Sequence, residues 1–117
     1  MKELTIEDTL EMSKKLWEQN KEQWSPMTPE YGRDFILYMV EEIGEVISIV
    51  KKKGEDKIMN DEVVRERFVE EMCDVLMYYS DVLNRFNISS EEVTKKYCEK
   101  FESNMYRDYT KDYSESC

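Results

Sequence analysis

The sequence predicts an all-α protein built as a four-helix bundle. Apolar side chains recur at intervals of three and four residues in four separate segments, which is the spacing of one face of a helix. Glycine and proline are scarce, with 3 and 2 residues, and no alternating apolar and polar run indicates a strand. Short connections favour antiparallel neighbours, so consecutive helices should pack into a bundle.

The first two helices are separated by a proline-containing break. The first runs from about Thr5 to Gln23, and the second begins near Thr28 and Pro29, which suit the N-cap and the first helical position. Three lysines followed by Gly54 indicate the end of the second helix at about Lys53. Residues 54–61 are predicted as a polar connection.

The last two helices follow in the same pattern. The third opens at Asp61 and stops at Asn87, and the fourth is capped by Ser89 or Ser90 and runs to about Tyr106. We therefore expect a single helical domain over residues 1–107. The polar tail, 108–117, is expected to be disordered.

Composition restricts the chemistry. The 117 residues include no histidine, which excludes a Ser-His-Asp triad and a histidine-ligated metal site. A net charge of -10 disfavours binding to DNA or RNA. The N-terminus lacks an apolar signal segment, the longest apolar run is too short to cross a bilayer, and the 3 cysteines show no disulfide pattern. We therefore expect a cytoplasmic protein that does not enter membranes.

Two predicted helices carry acidic pairs at matching positions. Glu42 and Glu45 lie three residues apart on the second helix, and Glu71 and Asp74 repeat that spacing on the third. This spacing places both side chains of a pair on one helix face. In each helix the first acid of the pair borders the apolar stripe and the second lies about 60° further round.

The two pairs should meet at the edge of the core. Their motifs lie about 14 and 15 residues from the middle of the 54–61 connection, so an antiparallel hairpin brings them to one level. Four unpaired carboxylates at such distances repel one another, and a hard divalent cation relieves that repulsion. Oxygen ligands suit Mg²⁺, with Mn²⁺ as a possible substitute, and both bridge readily to a substrate phosphate.

Alternatives exist for the same residues. Acidic pairs at this spacing also occur on solvated faces, so a non-catalytic helical module that binds a metal or a partner is the alternative. A di-iron bundle is disfavoured, because its motif needs histidine. Glu41 falls on the solvent side of its helix, and Tyr78 follows Asp74 by one turn.

At these residues the sequence resembles the MazG-like, all-α nucleoside triphosphate pyrophosphohydrolases. The family pattern E-E-x-x-E, spacer, E-x-x-D stands here as Glu41, Glu42 and Glu45 followed by Glu71 and Asp74. The segments EEIGEV and DVLMY are similar to those of the dCTP pyrophosphatase branch. That branch also has an arginine nine residues before the second acid, here Arg33, and a K-x-x-x-N-x-x-R motif in its last helix. This motif stands as Lys100, Asn104 and Arg107, so the resemblance covers about residues 24 to 107.

The resemblance implies hydrolysis between the α- and β-phosphates of a nucleotide, with a role in clearing unwanted nucleotides from the pool. It implies that Glu42, Glu45, Glu71 and Asp74 bind Mg²⁺. Glu41 or Glu45 is our hypothesis for the general base. The dCTP branch has a base-stacking tryptophan near the position of Trp24, and its motif implies substrate binding by Arg33, Lys100, Asn104 and Arg107. Tyr78 is a further candidate from its position one turn after Asp74, where it can either donate to a phosphate or sugar or pack at the rim of the core.

The family also assembles as homodimers or homotetramers, with sites built between subunits. This sequence is consistent with such assembly, because its first and third helices offer more apolar surface than one small bundle can cover. The dCTP branch uses a histidine near the base, and this chain contains none. The base preference therefore stays open.

Overall fold

The computed structural model describes residues 1–108, and their fold is all-α, as predicted. A 3-10 turn, Pro29–Tyr31, precedes the second of five helices, and no strand occurs within the described part. The predicted tail, 108–117, lies outside the described residues except for Asp108. The helices are α1 (Ile6–Asn20), α2 (Gly32–Lys53), α3 (Glu55–Asn60), α4 (Glu62–Arg85) and α5 (Ser90–Met105).

Side-chain caps explain where three of the helices begin. The Asp8 amide donates to Thr5 Oγ1 at 3.0 Å, and the Thr5 amide donates to Asp8 Oδ2 at 2.9 Å, which forms a capping box. The Asp61 carboxylate accepts from the amide of Val63 at the start of α4. Ser89 accepts from the amide of Glu92 at the start of α5. These starts match the sequence prediction.

The start of α2 differs from the prediction. Thr28 occupies the N-cap of the 3-10 turn, but its side chain makes no capping hydrogen bond, and α2 itself begins at Gly32. Gly32 lies directly under the Phe86 ring, and a Cβ at this position would overlap that ring. The close contact brings the first turn of α2 against the end of α4.

The connection predicted over residues 54–61 is wrong in one respect, because it contains α3. Glu55 and Asp56 favour the positive end of this short helix, and α3 packs against α4. The Ile58 side chain is buried. Two adjacent apolar residues, Ile58 and Met59, in a polar segment show no helical period, which is why the sequence pattern did not indicate this helix.

The central helix is α4, because α1, α2 and α3 all pack against it. The Asn84 side chain donates to the Leu10 carbonyl at 2.9 Å and joins α4 to α1. At the end of α4, Asn87 adopts φ +55° and Ile88 donates back to the Leu83 carbonyl, a Schellman motif. In residues 1–108 the buried hydrophobic side chains are Leu10, Ile49, Ile58 and Leu83.

Much of the predicted core surface is uncovered in one chain. The side chains of Met72 and Tyr79 on α4 are 47% and 46% exposed, and those of Ile43 and Ile47 on α2 are 40% and 49% exposed. Glu42 on α2 meets Glu71 and Asp74 on α4, so part of the contact between these helices is acidic rather than apolar. Helix α5 packs against α1 and contains no buried residue. No described helix is long and apolar enough to span a membrane.

Candidate active site

The acidic edges of α2 and α4 form one cluster of carboxylates. Glu42 from α2 and Glu71 and Asp74 from α4 each offer an oxygen, and these three oxygens lie within 4.8 Å of one another. All three residues are half-buried. The spacing of Glu71 and Asp74 puts both on the α4 face that meets α2. We call these three residues the acidic cluster.

Electrostatic repulsion within the acidic cluster is visible at Glu42. Loss of water raises the pKa of the Glu42 carboxyl, and a hydrogen bond with Glu71 and the charges of Asp74, Glu71 and Glu45 raise it further. The ion pairs among residues 1–108 leave these acids without a cationic partner. The Glu42 carboxyl therefore binds a proton more readily than an ordinary glutamate does.

Two further acids lie close to the acidic cluster. The negative charge of Glu45 acts on Glu42. The Glu45 carboxylate is not, however, among the three whose oxygens lie within 4.8 Å of one another. The structure thus brings together three of the four carboxylates that the sequence predicted to converge. Glu41 is exposed, and its charge acts on the Tyr78 hydroxyl.

Three aromatic rings stand beside the acidic cluster, and we call them the aromatic wall. The ring centroids of Phe35 and Tyr38 lie 5.2 Å apart in an edge-to-face arrangement. Tyr78 lies 6.2 Å from Phe35 and 6.1 Å from Tyr38. Burial and the charges of Glu42 and Asp74 raise the pKa of the Tyr78 phenol, which keeps its hydroxyl as a donor. A hydrogen-bond donor and aromatic surface therefore adjoin the carboxylates.

Two of the predicted nucleotide-binding residues lie before the acidic cluster in the chain. Trp24 is exposed in the loop between α1 and the 3-10 turn. Arg33 is exposed in the first turn of α2. Nine helical residues place it about 14 Å along the axis from Glu42 and half a turn round. Arg33 and Glu42 therefore leave α2 on opposite sides.

The three predicted basic and amide residues of the last helix lie on α5 or just beyond its end. Lys100 and Asn104 are exposed on α5, and Arg107 is exposed just beyond its end. Lys100 lines an open cleft of about 560 Å³ together with Tyr79 and Tyr97, and none of the acidic cluster lines that cleft. Lys100 therefore faces a cleft that the acidic cluster does not line.

Sequence reasoning missed a buried charged pair next to the aromatic wall. The Arg85 guanidinium is buried and donates to Asp81, its neighbour four residues earlier on α4. It also lies over the Phe35 ring, with Cζ 3.6 Å from the ring centroid. An Asp-Arg pair at this spacing inside an apolar helix end was the available signal.

The donor set of the acidic cluster suits a hard divalent cation. It consists of carboxylate oxygens, and the chain has no imidazole. The three acids have no cationic partner among the described residues, and the pKa of the Glu42 carboxyl is raised. Both observations fit a cluster whose negative charge is balanced by a bound cation. Mg²⁺ and Mn²⁺ match these ligands better than zinc does.

The comparison with family models gives a match. The model described as "MazG nucleotide pyrophosphohydrolase domain" matches residues 32–105, which include the acidic cluster and the whole of α2, α3, α4 and α5. Neither the search of curated proteins nor the search of solved structures gives a match.

Proposed function

Because residues 32–105 match its model, the chain belongs to the MazG nucleotide pyrophosphohydrolase family, and we propose that it is a Mg²⁺-dependent enzyme of that kind. Its reaction is hydrolysis of the bond between the α- and β-phosphates of a ribo- or deoxynucleoside triphosphate. The products are a monophosphate and pyrophosphate, and the role is to remove unwanted nucleotides. The main support is the approach of three carboxylates to within 4.8 Å without a cationic partner among the described residues.

Glu42, Glu71 and Asp74 are the proposed Mg²⁺ ligands, with Glu45 as the fourth. When bound, the metal neutralises the triphosphate and lowers the pKa of a coordinated water. In the reaction the water oxygen bonds to phosphorus and the bond from phosphorus to the bridging oxygen breaks. A carboxylate accepts the proton of the water, and pyrophosphate leaves.

Glu41 and Glu45 are the two proposed general bases. Both side chains are exposed at the edge of the acidic cluster, so either can exchange its proton with solvent after each turnover. The Glu41→Gln and Glu45→Gln variants separate the two candidates. A variant that keeps full activity removes its residue from the role of base.

The aromatic wall and the loop that carries Trp24 are the proposed binding surface for the nucleoside. The Tyr78 hydroxyl can donate to a sugar or phosphate oxygen, and Trp24 offers an exposed ring for stacking. Arg33, Lys100, Asn104 and Arg107 are proposed to bind phosphate oxygens, which suits their charge and hydrogen-bonding capacity.

We propose that the chain assembles as a homodimer or homotetramer, in which phosphate-binding residues of one copy can reach the acidic cluster of another. The chain exposes 9744 Å² of surface, whereas a folded monomer of this mass exposes about 6,800 Å². Uncovered apolar stripes on α2 and α4 supply the surface for a second copy. Light scattering should then give two or four times the chain mass of 14.2 kDa.

A panel of nucleotides with identification of products tests the proposal. Ribo- and deoxynucleoside triphosphates, with dCTP first, are incubated with Mg²⁺ and followed by phosphorus NMR. We expect monophosphate and pyrophosphate in equal amounts from at least one of them. Release of a nucleoside diphosphate and inorganic phosphate would contradict the assignment of the cleaved bond. A folded protein that binds Mg²⁺ and releases nothing would instead be a non-catalytic metal-binding module.

A further inference from the structure

The most deeply buried large side chain among the described residues carries a charge. Arg85, the last residue of α4, is 1% exposed. Its Nε donates to Asp81 Oδ1 at 2.5 Å, and its Nη2 donates to Asp81 Oδ2 at 3.5 Å. This pair satisfies one edge of the guanidinium and leaves its other donors directed away from Asp81.

The free edge of the same guanidinium joins two other parts of the chain. Nη1 donates to the Pro26 carbonyl at 2.5 Å, in the loop between α1 and the 3-10 turn. The flat face of the group lies over the Phe35 ring of α2 at 3.6 Å. Arg85 therefore connects α4, that loop and α2 through one planar group.

A second side chain holds the neighbouring carbonyl of the loop. The Trp17 indole of α1 donates to the Ser25 carbonyl at 2.8 Å. Two consecutive carbonyls, Ser25 and Pro26, are thus held by donors from two different helices. Trp24 directly precedes these carbonyls, so the backbone that carries its ring is held at both peptide oxygens that follow it.

The contacts continue from Arg85 to the acidic cluster. Phe35 packs against Arg85 on one side and contacts Tyr38 and Tyr78 in the aromatic wall. The Tyr78 hydroxyl lies within the electrostatic influence of Glu42 and Asp74. Arg85 therefore contacts the aromatic wall through Phe35 and the Trp24 loop through the Pro26 carbonyl.

We propose that Arg85 and Trp17 are positioning residues, which hold the Trp24 loop and the aromatic wall in the arrangement that receives the nucleoside. This inference rests on the proposed function, since it concerns how that substrate is bound. Neither residue touches the reacting phosphates. They hold the nucleoside-binding surface in its bound arrangement before the substrate arrives. Substrate binding therefore does not have to order the Trp24 loop and the aromatic wall.

The kinetic test uses two variants and a matched control. Arg85→Lys keeps the charge but cannot serve Asp81 and Pro26 together, and Trp17→Phe keeps the ring but loses the donor. Arg65→Lys is the control, because Arg65 is exposed near the start of α4 beside Met59. We expect KM for the preferred nucleotide to rise about tenfold in both variants, with a smaller change in kcat and unchanged Mg²⁺ affinity.

A merely structural role would not give that division between KM and kcat. An unchanged KM in the folded variants would overturn the proposal, and so would a loss of Mg²⁺ affinity equal to the rise in KM. If Arg85→Lys fails to fold, Trp17→Phe decides the question, because it leaves the buried ion pair intact.

Hydrogen-deuterium exchange separates this inference from the proposed function. We expect amides of the segment 23–31 to exchange faster in Arg85→Lys and Trp17→Phe than in Arg65→Lys, whether or not any nucleotide is hydrolysed. Unchanged exchange in both variants overturns the anchoring by Trp17 and Arg85. Absence of pyrophosphate release from the wild-type protein would contradict the proposed function alone.

Discussion

Two charged groups that include carboxylates of α4, the Asp81–Arg85 pair and the acidic cluster, lie on nearly the same face of this helix, about 10 Å apart along its axis. Asp81 has Arg85 as its partner at 2.5 Å, and the pair is buried. Asp74 has Glu42 and Glu71 as its neighbours, and no cation among residues 1–108 pairs with them. The first group is complete within the chain. The second has uncompensated negative charge, and this difference is why we propose the acidic cluster as the metal site.

The two groups should therefore respond to mutation in opposite ways. Removing a charge from a completed pair leaves its partner buried and uncompensated. Removing a charge from the acidic cluster relieves repulsion between its carboxylates. The stability should therefore rise, because functional sites often lower the stability of the fold. We therefore expect substitutions in the acidic cluster to lower activity, and substitutions in the Asp81–Arg85 pair to lower stability.

The largest expected effect is on turnover. Asp74→Asn removes one proposed metal ligand, and we expect pyrophosphate release to fall by about 100-fold or more, because ligand geometry governs metal affinity and activity. Circular dichroism should show an unchanged helical content. The control is Glu18→Gln, an exposed acid on α1 that pairs with Lys21. Turnover of Asp74→Asn within twofold of this control would contradict the assignment.

Next in size is the loss of stability at the completed pair. Asp81→Asn keeps the shape of the side chain but leaves the buried Arg85 charge unpaired. We expect the free energy of unfolding to drop by about 3–5 kcal/mol, measured by urea denaturation. A drop below about 1 kcal/mol would show that Arg85 finds compensation elsewhere, and the contrast between the two groups would fail.

A smaller change of opposite sign is expected at the acidic cluster. Glu42→Gln, measured without metal, should raise the free energy of unfolding by about 1 kcal/mol, because it removes a charge from three close acids. Added Mg²⁺ should stabilise the wild-type protein and stabilise this variant less. A metal-free variant less stable than the wild type would mean that Glu42 contributes to folding as Asp81 does.

The smallest effect concerns the Asp8 carboxylate, which accepts hydrogen bonds from Thr5. Hydrogen bonds from the Thr5 amide and hydroxyl hold the pKa of Asp8 below its usual range. The folded state thus binds this proton less readily than the unfolded state, so the contribution is present above the unfolded pKa and is lost as pH falls through the folded value. Asp8→Asn should remove this part of the acid dependence of melting, and an identical profile would contradict the capping box.

Local signals in the sequence predicted the parts of the fold that local chemistry determines. Three helices start where a side-chain oxygen accepts a hydrogen bond from a backbone amide, at Thr5, Asp61 and Ser89. Each start follows from that hydrogen bond. The meeting of Glu42 with Glu71 and Asp74 followed from spacing alone, because helix periodicity and hairpin symmetry together determine both face and height.

Features that depend on which surfaces meet were beyond the sequence. Periodicity identified apolar stripes on α2 and α4, but it does not say whether the same chain or another copy covers them. The position of α5 relative to the acidic cluster depends on packing against α1. A charged residue at a helix end usually faces solvent, so the burial of Arg85 went unpredicted.

The most direct test of metal-dependent catalysis by the acidic cluster varies the metal and the Glu42 side chain in one assay. Initial rates of pyrophosphate release are measured for the wild type, Glu42→Gln and Glu18→Gln, each with Mg²⁺ and with EDTA. We expect release from the wild type and from Glu18→Gln in Mg²⁺, and a loss of that release in EDTA or in Glu42→Gln. Release that persists in EDTA, or equal rates in the two variants, would contradict metal-dependent catalysis by the acidic cluster.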